Sequence, residues 1–456
     1  MNRSHTTPRS FSAIQLQTAL RDIVEPAGPD YLPDIVAQAA RMRQRPAWTF
    51  LEGWVSIDIS VRRQGVPRRA EVFILLSLLV ALLIAGAVYV GSQRTHPVRL
   101  SRLPATPDAW ARVVIDAGPD LQGVDSLAAG PDGLLAIVAV DEGQSRFFVS
   151  PDGQRWNQVP PDQHPPVAQD GAGWALVGSD RGFLLSNGSV WLSRDGFDWQ
   201  LLATPAEDPD LGKGEMLDIV AAGPGYVAVG NGGPWYSVDG SDWSLGEAPP
   251  PPTQPFVSQG SAAPEVSMRT IAIGGDRLIA WGTASSHTED SGMSVPVMWV
   301  SRDGRTWADV PPGGSEVMAA GSGGIAAADD DGGQIVVRMS ADGETWEQVD
   351  DLGAARSTDA DGTSLALGVS AIAASDAGFV AAGALGPECL LGPCKPGDVV
   401  LWTSEDGRSW SRLASDERFA RGAASESVAW GSHFVVGGEH DGGPAIWISD
   451  PDQPER

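Results

Sequence analysis

The chain has 456 residues, a formal net charge of −27 and 42% hydrophobic residues, enough for one large or several small domains with cores of their own. Fifty-five glycines and seventeen tryptophans, with few long amphipathic charged stretches, favour short strands joined by tight turns over a helical protein. Residues 1–103 carry a net +6, leaving −33 on residues 104–456, and so acidic a body disfavours binding to nucleic acid or to anionic headgroups.

Ser12–Val24, SAIQLQTALRDIV, and Pro33–Met42, PDIVAQAARM, have the spacing of short amphipathic helices, separated by the turn-rich EPAGPDY. Residues 1–70 are therefore expected to form a short helical segment rather than an enzyme domain. Its stretch PDYLPDIVAQAARMRQRPAWTFLEGW resembles a juxtamembrane module of bacterial single-span membrane proteins that carry varied exterior domains. Val72–Val90, VFILLSLLVALLIAGAVYV, contains no charge, and its nineteen residues can cross a ~30 Å hydrocarbon core at about 1.5 Å per residue. A transmembrane helix is predicted over residues 71–91, too deep in the chain for a cleaved signal peptide, so it should persist as a signal-anchor. Arg62, Arg63, Arg68 and Arg69 precede it, and Arg94, Arg99 and Arg102 follow. This bias, reinforced by Arg41, Arg43 and Arg45, puts the N-terminus in the cytoplasm and the acidic part outside the cell membrane.

After a linker over residues 92–106, the chain repeats itself. SPDGQRW, SRDGFDW, SVDGSDW, SRDGRTW, SADGETW and SEDGRSW begin at Ser150, Ser193, Ser237, Ser301, Ser340 and Ser404, and SDPDQ at Ser449 is a seventh, incomplete copy. Asp-Gly between two apolar runs is a hairpin signal: glycine accepts φ > 0, and the aspartates Asp152, Asp195, Asp239, Asp303, Asp342 and Asp406 can accept turn N–H groups. Two residues before each serine stands a strand residue that is aromatic everywhere except at Arg338.

Upstream of each copy lies a second hairpin pattern: LAAGPDGLLAIV, PVAQDGAGWALVG, IVAAGPGYVAVG, IAIGGDRLIAWG, VMAAGSGGIAAA, IAASDAGFVAAG and VAWGSHFVVGG. Each unit then supplies four strands over about 40–60 residues, the period of a propeller blade. The last unit lacks a fourth strand, and Pro107–Ile115, PDAWARVVI, matches one, with Trp110 in the place of Trp156, Trp199, Trp243, Trp307, Trp346 and Trp410. The expected fold is all-β: a seven-bladed β-propeller over residues 107–450 whose N-terminal strand closes the last blade, followed by a tail over residues 451–456. Such closure leaves no open sheet edge.

The heptapeptides resemble the Asp-box, or BNR, repeat of sialidase-like propellers, Ser-x-Asp-x-Gly-x-Thr-Trp. Here Asp and Gly are adjacent, one residue shorter than that pattern, and Thr precedes Trp only at Thr306 and Thr345. The resemblance implies a peripheral, non-catalytic hairpin. It also implies that a sialidase would need an arginine cluster and a tyrosine nucleophile, yet Tyr226 and Tyr236 both fall at packing positions of the repeat, the former aligned with Trp174, Leu278, Ile325, Phe379 and Phe434.

Other chemistry is not singled out. His164, His287, His433 and His440 lack metal-ligand spacing and read as loop or surface residues, and the DDDGG turn at Asp329 lacks the full spacing of a calcium loop. Cys389 and Cys394, in the loop GPECLLGPCKPG, are expected to form a local disulfide in an oxidising compartment. The long connections all fall on the face opposite the heptapeptides: those after Trp243, after Gly282, near Asp350 and around the cysteines. That face is acidic, with Glu207, Asp208, Asp210, Glu289, Asp290, Asp329, Asp330, Asp331, Asp350, Asp351, Asp359 and Asp361. The function expected is a monomeric, membrane-anchored, non-catalytic module without a cofactor, binding a glycan, envelope component or protein on that face. The alternatives are an exported carbohydrate-active hydrolase and a transmembrane sensor; convergent carboxyls and arginines at the propeller centre would favour the hydrolase.

Overall fold

The computed structural model describes residues 103–116, 118, 120–140, 144–166, 174–204, 214–222, 225–251, 265–287, 292–387 and 397–449. The predicted N-terminal helices, the transmembrane segment, most of the linker, both cysteines and the C-terminal tail lie outside them. Among the described residues no helix is long and apolar enough to cross a membrane.

All sheets are antiparallel, built from meandering four-stranded units. In one unit, Ala175–Ser179, Gly182–Ser186, Val190–Ser193 and Trp199–Ala203 pair in chain order. Two units merge into a single eight-stranded sheet through one bridge, Asn231 to Ser267. The first strands of the units are Leu121–Gly130, Ala175–Ser179, Glu215–Ala222, Glu265–Gly274, Val317–Gly321, Ser364–Ser375 and Gly422–Trp430. Each packs against the first strand of the next unit, and the last packs against the first. The described residues form a β-propeller.

Hydrophobic layers between neighbouring units hold the ring. Leu135 and Phe147 of one unit meet Phe183 and Leu185 of the next, and Val337 and Met339 meet Phe379 and Trp402. The ring closes where Leu134, Val138 and Phe148 pack on Val435, Ile446 and Ile448. Trp235, Trp299, Trp402 and Trp447, two residues before their serines, are fully buried, each worth at least the ~1.5–3 kcal/mol of a buried large apolar side chain. Trp110–Val114 pairs antiparallel with Gly443–Ser449, so the beginning of the propeller supplies the outer strand of its last unit. Arg418 secures this strand: its Nη1 donates to Pro107 O at 2.7 Å and its Nη2 to Asp108 Oδ1 at 2.7 Å.

Two sequence expectations change. The second hairpin of the Ala175 unit is not PVAQDGAGWALVG but Ala175–Ser179 with Gly182–Ser186, turning at Asp180 and Arg181. The apolar alternation runs past the glycines into LLS, and two-residue turns recur in the other units. Phe183, not Trp174, therefore shares the buried position of Tyr226, Leu278, Ile325, Phe379 and Phe434. The long connections after Gly282 and near Asp350 are largely strand: Arg277–His287 pairs with Gly292–Ser301, and Arg356–Thr358 with Ser364–Ala366.

Candidate functional site

The heptapeptides occupy the turns between third and fourth strands. In SRDGFDW, the Ser193 hydroxyl accepts the Gly196 N–H at 2.8 Å, and Asp195 Oδ1 accepts the N–H groups of Phe197 and Asp198 at 2.9 and 3.2 Å. The Trp199 indole N–H donates back to Gly196 O at 2.8 Å. Asp152, Asp239, Asp303, Asp342 and Asp406 accept equivalent turn bonds, and Trp156, Trp243, Trp307, Trp346 and Trp410 close the same loop. Trp110, without a heptapeptide before it, donates instead to Pro104 O. The turn N–H groups help hold these carboxyls below their usual range; Asp239 falls to about 2. Gly196 sits at φ +82, and a Cβ there would stand 2.6 Å from Val149 of the preceding unit. The motif is thus pressed against its neighbour, and its serine, aspartate and indole N–H are engaged in its own turn.

The centre of the ring is different. In five of the first strands the pairing register slips by one residue, leaving Asp125, Leu217, Arg269, Ser370 and Ser425 as extra residues. Such bulges turn side chains that a regular ladder would hold in the sheet faces. Opposite four of them stands a glycine. A Cβ on Gly230, Gly282, Gly383 or Gly438 would lie about 2 Å from the carbonyl oxygen of Glu215, Ser267, Gly368 or Ala423, two residues before the bulge. The bulge forces that close approach, and only glycine admits it.

Residues at and beside the bulges bridge adjacent units. Ser370 Oγ donates to Ala424 O at 2.6 Å, and Ser425 Oγ to Val124 O at 2.5 Å. Asp218 accepts the Thr270 hydroxyl and the Ile271 N–H, both at 2.8 Å, and the Ile219 N–H at 2.7 Å. They surround a cavity of about 550 Å³ to which every first strand, or the residue just before it, contributes: Ser126, Trp174, Asp218, Arg269, Glu316, Ser370 and Glu426 among its lining. The lining residues sit three to five positions before the ends of the first strands all round the ring, so they form one belt at a common level.

This cavity is acidic. Burial pushes Glu426 up to about 8, helped by repulsion from Asp218 and Asp125, so Glu426 keeps its proton at neutral pH. Burial also raises Asp218, against the pull of its hydrogen bonds, and raises Asp125. Asp218 and Glu426 retain a sliver of surface toward the channel while protein encloses them on the other sides. No donor among the described residues reaches the Glu426 carboxyl, and the neighbouring Ser427 Oγ is buried without a partner. The cavity lining contains one arginine, Arg269.

The other sequence candidates lie apart from it. Tyr226 is buried with its hydroxyl 3.2 Å from Ser179 Oγ, and Tyr236 lies under the Arg305 guanidinium at 4.2 Å. His164 stacks on Phe147 and His433 contacts Ser449 O; His440, read from sequence as a surface residue, is buried against Ala420 O. In the Asp329 turn, the Asp330 carboxyl accepts the Gly333 N–H and Asp331 pairs with Arg338, while burial raises Asp329. Among the described residues no group of three or more His, Cys, Asp or Glu is arranged to hold a metal ion. Glu207, Asp208, Asp210, Glu289 and Asp290 lie outside the described residues.

No family model matches the sequence, and neither does any curated protein. Solved structures do match in fold. An ancestral GH74 enzyme is 14% identical with a TM-score of 0.46; the match covers 73% of this chain and 48% of the enzyme, so the chain spans about half its length. A β-propeller domain from Myceliophteria thermophila is 11% identical with a TM-score of 0.41, covering 75% and 99% of the two chains. Trypanosoma rangeli sialidase, solved with sialic acid, is 14% identical with a TM-score of 0.37, covering 75% and 59%.

Sequence reading found the heptapeptides and missed Asp125, Asp218 and Glu426. A signal for the bulges was present: VAVG, IAWG, VAAG and VVGG each end at or beside a glycine that faces one. Which acid follows the bulge across the sheet was not encoded in that pattern.

Proposed function

We propose that this protein is a single-pass membrane protein presenting a seven-bladed β-propeller outside the membrane as a binding module, with its ligand taken up in the central cavity. The observation that carries this reading is the polar cavity of about 550 Å³ at the ring centre, within the range of small-molecule sites. The apolar stretch Val72–Val90 and the arginine bias support the anchor, with residues 1–70 cytoplasmic, and Cys389 and Cys394 are assigned a disulfide stiffening one loop. The Asp-box-like turns are assigned a structural role, since their aspartates are engaged by their own backbone. A glycan or envelope fragment entering from the long-connection face is the ligand class favoured, on a monomeric propeller with no nucleic-acid partner.

One observation favours a second reading, a carbohydrate-active hydrolase: Glu426 carries a proton at neutral pH within reach of another carboxyl's field, the condition for a general acid. Binding is preferred because Asp218 is engaged by three donors, two of them from the neighbouring unit, and one arginine is not the cluster a sialidase-like site requires. The test is a screen of the full-length protein, in detergent micelles, against a glycan panel and generic glycoside substrates. Saturable binding without turnover is expected. Turnover abolished by both Glu426→Gln and Asp218→Asn would reverse the preference.

A further inference from the structure

We propose that the central cavity holds its ligand through an aliphatic ammonium group, bound by the Glu426 and Asp218 carboxyls with Trp174 in the lining. This rests on the binding reading above and names the ligand's chemistry. Three observations point to it. Carboxyls converge on one cavity from separate strands, Asp218 from Glu215–Ala222, Glu426 from Gly422–Trp430, and Glu316 from just before Val317–Gly321, against the single cation Arg269. Glu426 lines the cavity, half-buried, with no hydrogen-bond partner among the described residues, and beside it the Ser427 Oγ is buried without one, whereas buried polar groups are ordinarily paired. An ammonium brings three donors and a positive charge, which is what unpaired acceptors beside like charges lack. Indole rings attract organic cations, and Trp174 lines the same cavity. A bare metal ion fits less well, because these carboxyls are too dispersed to form a ligand set.

Binding balances in protons. The Glu426 carboxylic acid gives its proton to solvent as the ligand's ammonium, already charged, pairs with the carboxylate. Asp125 and Asp218 repel the Glu426 charge in the free protein, Glu316 shares the cavity, and Arg269 opposes them. Since Glu426 is protonated below about 8, affinity for putrescine, whose amines stay charged, should rise with pH up to that point, at most about tenfold per unit, while that for glucosamine should level off as its less basic amine loses its own proton.

The experiment is isothermal titration of the full-length protein in detergent micelles with putrescine, glucosamine and N-acetylglucosamine at pH 6, 7 and 8, in two buffers of different ionisation enthalpy. Putrescine or glucosamine should bind, with up to one proton released per ligand at pH 7, and N-acetylglucosamine should bind at least tenfold more weakly. Putrescine alone identifies a plain alkylammonium, glucosamine alone an amino sugar; both together identify the shared head group. Glu426→Gln, which loses no hydrogen bond within the protein, should lower affinity at least tenfold and abolish the proton release. Its circular dichroism and melting profile serve as the control for folding. N-acetylglucosamine binding as tightly as glucosamine, unchanged in Glu426→Gln, overturns the ammonium inference and leaves the binding reading intact. Silence from all three ligands also overturns it, and the glycan screen then decides the binding reading separately.

Discussion

Replacing Glu426 by glutamine should make the propeller more stable in alkali, and by a calculable amount. The carboxyl titrates at 4.5 in a model chain and at about 8 in the folded ring, so between those values the native state holds a proton that the unfolded state has released. Stability therefore falls as pH rises through that window, and at about 1.4 kcal/mol per unit the full span comes to roughly 5 kcal/mol, of which about 3 kcal/mol is already lost at pH 7. The turn aspartates, held below their usual range, are ionised throughout and add no slope there. Urea unfolding of wild type and Glu426→Gln at pH 5, 7 and 9 reads the effect as a midpoint difference. The two should nearly coincide at pH 5 and separate progressively above it, with the variant the more stable. Parallel curves from pH 5 to 9 would show that the channel solvates Glu426 as water does, and would remove the electrostatic basis of the site.

Gly196→Ala should destabilise by about 2–4 kcal/mol, combining a left-handed backbone with a clash against Val149, whereas Gly188→Ala, at φ +95 with open space around it, should lose only about 1 kcal/mol. Equal losses, read by thermal unfolding, would contradict the pressing of the turn against the neighbouring unit. Deleting residues 110–114 exposes the edge of Gly443–Ser449 and should produce concentration-dependent association by light scattering; a monodisperse, fully stable product would refute closure by that strand. Asp239, held at about 2 by the Ser241 and Asp242 N–H groups, contributes stability above 3.8 that is lost as pH falls toward 2. Asp239→Asn should flatten the acid limb of the unfolding curve, and an unchanged acid limb would exclude the turn as its source.

The Asp-Gly turn, its serine and its tryptophan are local chemistry, readable wherever they recur, because the side-chain hydrogen bonds that build the turn span two or three residues. Closure was also legible, since Trp110-Ala-Arg-Val repeats the fourth-strand pattern. The Ala175 hairpin was misplaced because two glycine-rich turns compete within twelve residues and only pairing with Gly182–Ser186 decides between them. The length of the Gly282 and Asp350 connections was legible; their folding into paired arms was not, for the same reason.

The sequence by itself determined the repeat and the strand order within most units, which depend on short-range periodicity and composition. Only the tertiary structure decided where the chemistry lies. Asp125, Asp218 and Glu426 belong to strands separated by as many as three hundred residues, and nothing in their local sequence distinguishes them from the other acids of a chain that carries fifty-eight. Ring closure brings their bulges to one axis, removes water from around them and forces their charges to compete for a proton. The heptapeptide fixes the wheel, and the hub acquires its properties from all the spokes at once.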